Sequence, residues 1–128
     1  RQWRADSHCN LIHGYSFSMK FFFGTNDLDI RNWAMDYGGL KELKRNLENW
    51  FDHTLIVAED DPRLDVFKLM DHDEIIQLRV VPAVGCERFA EFLYNKINEF
   101  LNQETNGRVK AIKVEVYEHE RNSASYGE

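Results

Sequence analysis

Near the start of the chain, the stretch SHCNLIHGYSF places Cys9 four residues before His13, with His8 beside the cysteine. A cysteine next to a cation or a metal loses its proton readily and becomes a nucleophile or a base, whereas the same thiol in apolar surroundings is inert. His13-Gly14-Tyr15 adds a second theme. On a strand, positions i and i+2 point to the same side, so His13 and Tyr15 can aim at one spot. Gly14 between them lets another backbone approach. Such a pair suits two metal ligands, although a phenol must first lose a proton near pKa ~10. The plainer alternative is a hydrogen-bonded histidine at the start of a strand. His8 is a further candidate donor.

Asp52-His53 sets a carboxylate beside an imidazole. A carboxylate that holds one ring nitrogen orients the ring and raises its basicity, as in catalytic dyads. A histidine at a helix end is also favourable for electrostatic reasons alone. Glu118, in VEVYEHE, falls on the apolar face of the last predicted strand. Buried carboxylates are rare unless paired. One here could accept two parallel hydrogen bonds from the guanidine-like edge of a heterocycle, or could mark a strand end that has reached water. Glu87, in CERFA, is either a ligand contact or a first-turn acid at a helix N-terminus. His72 and His119 read as solvated.

The elements that must position these residues follow from periodicity. In YSFSMKFFF, Tyr15, Phe17, Met19, Phe21 and Phe23 share one face, the period of a half-buried strand. Phe22 breaks the pattern and is free to meet a partner subunit. A second strand over residues 32–37 is predicted to close a hairpin with the first. In GGLKELKRNLENWF the period becomes helical, with Leu40, Leu43, Leu47, Trp50 and Phe51 on one face, and Asp52-His53 at the exit. AEDDPRLD is polar, with Pro62 closing off regular structure. Residues 75–81 read as a short strand. Residues 86–101 read as an amphipathic helix with Phe89, Leu93, Ile97, Phe100 and Leu101 inward. The last strand, over residues 109–118, puts Ile112, Val114, Val116 and Glu118 on one face. Two helices covering one face of an antiparallel sheet is the simplest α+β solution.

Bulk properties narrow the function classes. A chain of 128 residues fits one domain, residues 1–128. A net charge of −6 argues against nucleic acid as the main partner, while an anionic small substrate remains compatible with a local basic patch. No apolar run approaches a membrane span. The two distant cysteines, Cys9 and Cys86, read as free thiols in a reducing, cytoplasmic protein. The sequence opens without an initiator Met, so an N-terminal strand is expected upstream of Arg1.

Taken jointly, these segments resemble the 6-pyruvoyl-tetrahydropterin synthase family, and within it the branch that makes 6-carboxy-tetrahydropterin for queuosine and related deazaguanines. The family pattern runs Cys-x-x-x-His-Gly-His, Met-Val-x-Asp-Phe-x-x-Leu-Lys, Leu-Asp-His, Pro-Thr-x-Glu-Asn-x-Ala and a late Glu before a Tyr. This chain has Cys9 with His13-Gly14-Tyr15, then AMDYGGLK, FDHTLIV, CERFA and YEHERNSASY, in the same order. The resemblance implies the tunnelling fold: a four-stranded antiparallel sheet with two helices on one face, assembled as an oligomeric barrel of trimers or hexamers with active sites between subunits. It implies a lyase acting on 7,8-dihydroneopterin triphosphate, with Cys9, Asp52 and His53 catalytic. Glu118 matches the acid that anchors the pterin ring, Glu87 the glutamate of the second-helix motif, and Cys86 joins them in the substrate-binding group. It also implies Zn2+ held by three histidines. Here His13 is the matching ligand, Tyr15 stands where the second histidine belongs, His8 is a substitute, and the first-strand ligand is expected before Arg1. Gly85-Cys86 replaces the Pro-Thr, with Pro82 further upstream. Three alternatives stay open: a pyruvoyl-forming synthase, a dihydroneopterin aldolase or epimerase on the same architecture, and a non-catalytic oligomeric pterin-binding module.

Overall fold

In chain order the elements are β1 (Ser18–Thr25), α1 (Lys41–Phe51), β2 (Leu55–Ala58), α2 (Leu64–His72), β3 (Leu78–Val81), α3 (Cys86–Thr105), β4 (Val109–His119) and β5 (Asn122–Gly127), with short 3-10 turns at His8–Asn10 and Tyr37–Leu40. The computed structural model describes residues 1–14, 16–119 and 121–128. The chain divides into two compact units, one of Ser16–Arg45 with Cys86–Glu128, the other of Arg1–Tyr15 with Asn46–Gly85.

In the first unit three strands pair antiparallel in the order β1-β4-β5. Val114 and Val116 face Phe21 and Met19 on one side and Tyr126 and Ala124 on the other. Both valines are fully buried, because α3 packs on the sheet here. Phe89, Leu93, Ile97 and Leu101 recur every four residues along α3, which gathers them into one stripe, and all are buried. Phe100, expected beside them, is half-buried. Each buried aliphatic side chain contributes about 1.5–3 kcal/mol relative to exposure, so this stripe dominates the stability of the unit.

The face expected to carry Ile112, Val114, Val116 and Glu118 is interrupted. Phe22 pairs with Lys113 but Phe23 pairs with Ala111, so Ile112 is an extra residue in the strand. A bulge of this kind reverses the side taken by every residue beyond it. Val109 and Ala111 are therefore buried along with Val114 and Val116, while Ile112 is 45% exposed. Asn98 of α3 fastens the spot: its Oδ1 accepts from the Ala111 N–H at 2.9 Å and its Nδ2 donates to the Ala111 carbonyl at 3.3 Å. Gly127 of β5 lies so close that an ideal Cβ would fall 2.1 Å from the Ile112 carbonyl oxygen.

The predicted hairpin over residues 32–37 does not form. Asp29 accepts the N–H groups of Arg31 at 2.8 Å and Trp33 at 3.0 Å, and the Asp29 N–H reaches the Trp33 carbonyl at 2.9 Å. A short acidic side chain that satisfies nearby amides competes with ladder formation. The partner of β1 is β4.

In the second unit β2 and β3 pair in parallel, which requires a crossover, and α2 supplies it. Ile56, Val57, Ala58, Phe67 and Val81 are its buried apolar residues among those described. Pro62 had suggested irregular chain, but it stands just ahead of α2, where a missing N–H costs nothing. Among the described residues, the sequence expectation of a four-stranded antiparallel sheet with two helices thus becomes a three-stranded antiparallel sheet, a two-stranded parallel one and three α-helices. The α+β class holds.

Candidate active site

Asp52 and His53 occupy the exit of α1. The imidazole Nδ1 lies 2.9 Å from Asp52 Oδ1. A carboxylate accepts, so Nδ1 donates, and Nε2 is the basic nitrogen of the neutral ring. His53 sits at φ 52°, the left-handed conformation that ends many helices and that glycine usually takes. A histidine there costs about 1–2 kcal/mol. Strain of this kind collects at functional positions.

Two residues that sequence reasoning missed hold this turn. Arg79, on β3, donates from Nη2 to the Asn49 carbonyl at 3.1 Å and from Nε to the Trp50 carbonyl at 3.2 Å. These are among the last carbonyls of α1, which lack partners within the helix. Gln77 donates to Thr54 Oγ1 at 3.2 Å, and Thr54 in turn donates to the Asp52 carbonyl at 2.9 Å. A basic residue inside a short apolar strand was the available signal, but its partner lies about thirty positions away.

Cys9 is half-buried in the 3-10 turn His8–Asn10, whose first N–H groups are met by Ser7: its Oγ accepts from the Cys9 N–H at 3.3 Å and its carbonyl from Asn10. Among the described residues Cys9 makes no hydrogen bond to Asp52 or His53, though all three belong to the same unit. His8 is exposed. His13 is also exposed, and its Nδ1 donates to the Leu11 carbonyl at 2.7 Å. That bond leaves Nε2 as the nitrogen with a lone pair, the tautomer of a histidine metal ligand. Tyr15 lies outside the described residues.

The other unit gathers the remaining candidates. Cys86 opens α3, Glu87 follows it, and Glu118 sits at a second bulge of β4, where Tyr117 pairs with Ser123 and His119 with Asn122. Burial pushes the Cys86 thiol up to about 11, and the nearby carboxylates of Glu118 and Glu87 push in the same direction, while the Glu118 backbone N–H pulls against them. At neutral pH Cys86 is therefore a protonated thiol that can donate a weak hydrogen bond but not attack. Glu118 is half-buried, with Oε1 accepting from Asn122 Nδ2 at 3.1 Å.

A model of the 6-pyruvoyl tetrahydropterin synthase family matches residues 1–128. The chain belongs to this family. Among family relatives, it is 26% identical over 124 residues to a 6-carboxy-5,6,7,8-tetrahydropterin synthase of Aquifex aeolicus, covering 94% of this chain and 76% of that protein. It is 30% identical over 57 residues to the enzyme of the same name from Rickettsia conorii, covering 44% of this chain and 41% of that one. An uncharacterised protein from Wolinella succinogenes shares the fold with a TM-score of 0.83 at 18% identity, over 99% of this chain and 90% of its own. A catalytic-residue variant of Plasmodium vivax 6-pyruvoyltetrahydropterin synthase does so with a TM-score of 0.66 at 17% identity, over 91% and 80%. Among the described residues no helix is long and apolar enough to cross a membrane.

The family resemblance implies zinc, and the described residues do not by themselves fit it. His13 has the right tautomer, but no three His, Cys, Asp or Glu side chains among the described residues are grouped to hold a metal ion. No chemical step below is routed through a metal.

Proposed function

We propose that the chain is a 6-carboxy-5,6,7,8-tetrahydropterin synthase-like lyase that acts on 7,8-dihydroneopterin triphosphate, releases triphosphate and acetaldehyde, and serves queuosine or related deazaguanine synthesis. The observation that carries the reading is the Asp52–His53 pair, bonded at 2.9 Å on a turn that Arg79 pins. A ring held through Nδ1 turns Nε2 outward as the atom that can take up or hand on a proton of a substrate side chain. In this reading Cys9 is the second proton carrier. Glu118 accepts the two N–H groups at the edge of the pterin ring, Glu87 faces the same ligand, and Cys86 contributes a neutral donor.

The name shared by the Aquifex and Rickettsia relatives supports the carboxy-forming branch. Zinc remains part of the proposal, with His13 as the matching ligand and Tyr15 or His8 as the further donors this chain would offer. The protein is proposed to be a cytoplasmic homo-oligomer, a trimer or a hexamer. In favour of assembly, β1 and β5 each pair with β4 alone among the described residues, so both margins of the sheet can accept a further strand.

Product analysis tests the reading. Purified protein and 7,8-dihydroneopterin triphosphate should yield 6-carboxy-tetrahydropterin with one equivalent each of triphosphate and acetaldehyde. A 6-pyruvoyl product would move the chain to the other branch. Glycolaldehyde from dihydroneopterin would make it an aldolase, and tight pterin binding without turnover would make it a binding module.

A further inference from the structure

The unit that carries Cys9 contains a buried ion pair that the dyad does not use. Among the described residues Asp61 is the one charged side chain that is buried. Its carboxylate takes a two-pronged grip from Arg1, Nε to Oδ2 at 2.9 Å and Nη2 to Oδ1 at 3.3 Å, with the two side chains 0% and 14% exposed. The same guanidinium turns its remaining nitrogen to Asn10, donating from Nη1 to the backbone carbonyl at 3.0 Å and to Oδ1 at 2.8 Å. Asn10 passes the contact on through Nδ2, to the carbonyls of Trp3 at 2.7 Å and Ala5 at 3.3 Å. The Gln2 N–H donates to the Cys9 carbonyl at 3.0 Å. Asp60 adds an outer grip on the same segment, accepting from Trp3 Nε1 at 3.0 Å and from Arg4 Nη2 at 2.6 Å.

Asp61 follows β2, the strand that leads out of the Asp52–His53 turn. Its backbone is fixed there: its N–H reaches the Ala58 carbonyl at 3.0 Å, and Oδ1 accepts from the Arg63 N–H at 2.8 Å. Burial raises the carboxyl, yet the bonds from Arg1 and Arg63 outweigh burial and hold it below the usual carboxylate range, so it is charged at neutral pH. The planar fork of arginine can span two acceptors at once, which a lysine ammonium cannot do with the same geometry.

We propose that Arg1 and Asp61 form a positioning clamp that ties the Cys9 turn to the end of β2 and so sets where the Cys9 thiol stands. Arg1 is the bridge: one edge belongs to the buried acid, the other to the residue next to Cys9. This inference rests on the reading of Cys9 as a working thiol.

The test uses the full chain and four variants, Asp61→Asn, Arg1→Lys, Cys9→Ser and Arg1→Lys with Cys9→Ser. Turnover of 7,8-dihydroneopterin triphosphate, pterin binding by fluorescence and the rate of Cys9 alkylation by iodoacetamide, followed by peptide mass, are read on each. The clamp predicts that Arg1→Lys, which keeps the charge opposite Asp61 but loses the reach to Asn10, lowers kcat about tenfold. Pterin affinity and KM should stay within about twofold, and Cys9 alkylation should change at least fivefold. Asp61→Asn should do the same or more. In the Cys9→Ser background Arg1→Lys should have no further effect on residual turnover. Unchanged kcat and unchanged Cys9 alkylation in Arg1→Lys would overturn the clamp, and this variant decides the matter if Asp61→Asn fails to fold. Should Cys9→Ser itself turn over like the parent, the reading of Cys9 fails instead, while the alkylation rates still report on the clamp.

Discussion

Cys9 and Cys86 are the same side chain set in opposite surroundings. Cys86 opens a long helix whose apolar stripe is packed on a sheet, and burial beside two carboxylates keeps its thiol protonated up to about 11. Cys9 stands in a short turn that owes its place to side-chain bonds from Arg1, Ser7 and Asn10 rather than to apolar packing. One unit makes a rigid and inert thiol out of hydrophobic periodicity. The other unit holds its thiol by a polar framework of side-chain hydrogen bonds. The contrast teaches that apolar packing and side-chain hydrogen bonding can each fix a thiol, and that they leave it in different surroundings.

The contrast breaks most sharply at the dyad. His53→Ala or Asp52→Asn should lower kcat about 10²–10³-fold with folding intact, the range for loss of a general base or its orienting partner. Cys86→Ser, which keeps a neutral donor, should stay within about threefold of the parent. Steady-state kinetics with circular dichroism on the same samples checks both, and a Cys86 variant as damaged as a His53 variant would erase the distinction. Next, Gly127→Val should cost about 2–3 kcal/mol in denaturant melts, because a Cβ at that point meets the Ile112 backbone rather than a side chain that can move.

The thiol itself sharpens the comparison by pH. An unfolded cysteine titrates near 8.5, and the folded Cys86 near 11. The folded value is raised, so the stability contributed by the neutral thiol is full below about pH 8.5 and fades as the pH rises through 11. At pH 9 its alkylation should be roughly 75-fold slower than that of a free thiol and should recover on unfolding. Last, Arg79→Ala removes bonds to two carbonyls at the end of α1. It should cost about 1–2 kcal/mol of stability and about fivefold in kcat, read by melts and kinetics together. A loss confined to stability would make Arg79 a helix cap with no bearing on the dyad.

Much of the sheet–helix unit was legible in the sequence, because α3 and β1 announce themselves by periods of about four and of two. The bulge at Ile112 was not, since one inserted residue reverses facing without changing composition. The hairpin over residues 32–37 was misread because the carboxylate of Asp29 satisfies amides that a strand would have offered to a neighbour. The helix α2 was hidden by Pro62, which looks like a terminator until its place just before the helix is known. At the candidate site, the adjacency of Asp52 and His53 did not by itself ensure a contact, and the structure supplies it at 2.9 Å. The clamp of Arg1 on Asp61 spans sixty positions, and no local pattern reveals which acid in AEDD turns inward.

The central claim is that the thiol in the first turn carries protons for a pterin lyase. Cys9→Ala, given 7,8-dihydroneopterin triphosphate under single-turnover conditions, tests it most directly. The account predicts pterin binding equal to the parent's, with triphosphate release slowed about a thousandfold or more. Release at the parent's rate from that variant would contradict it.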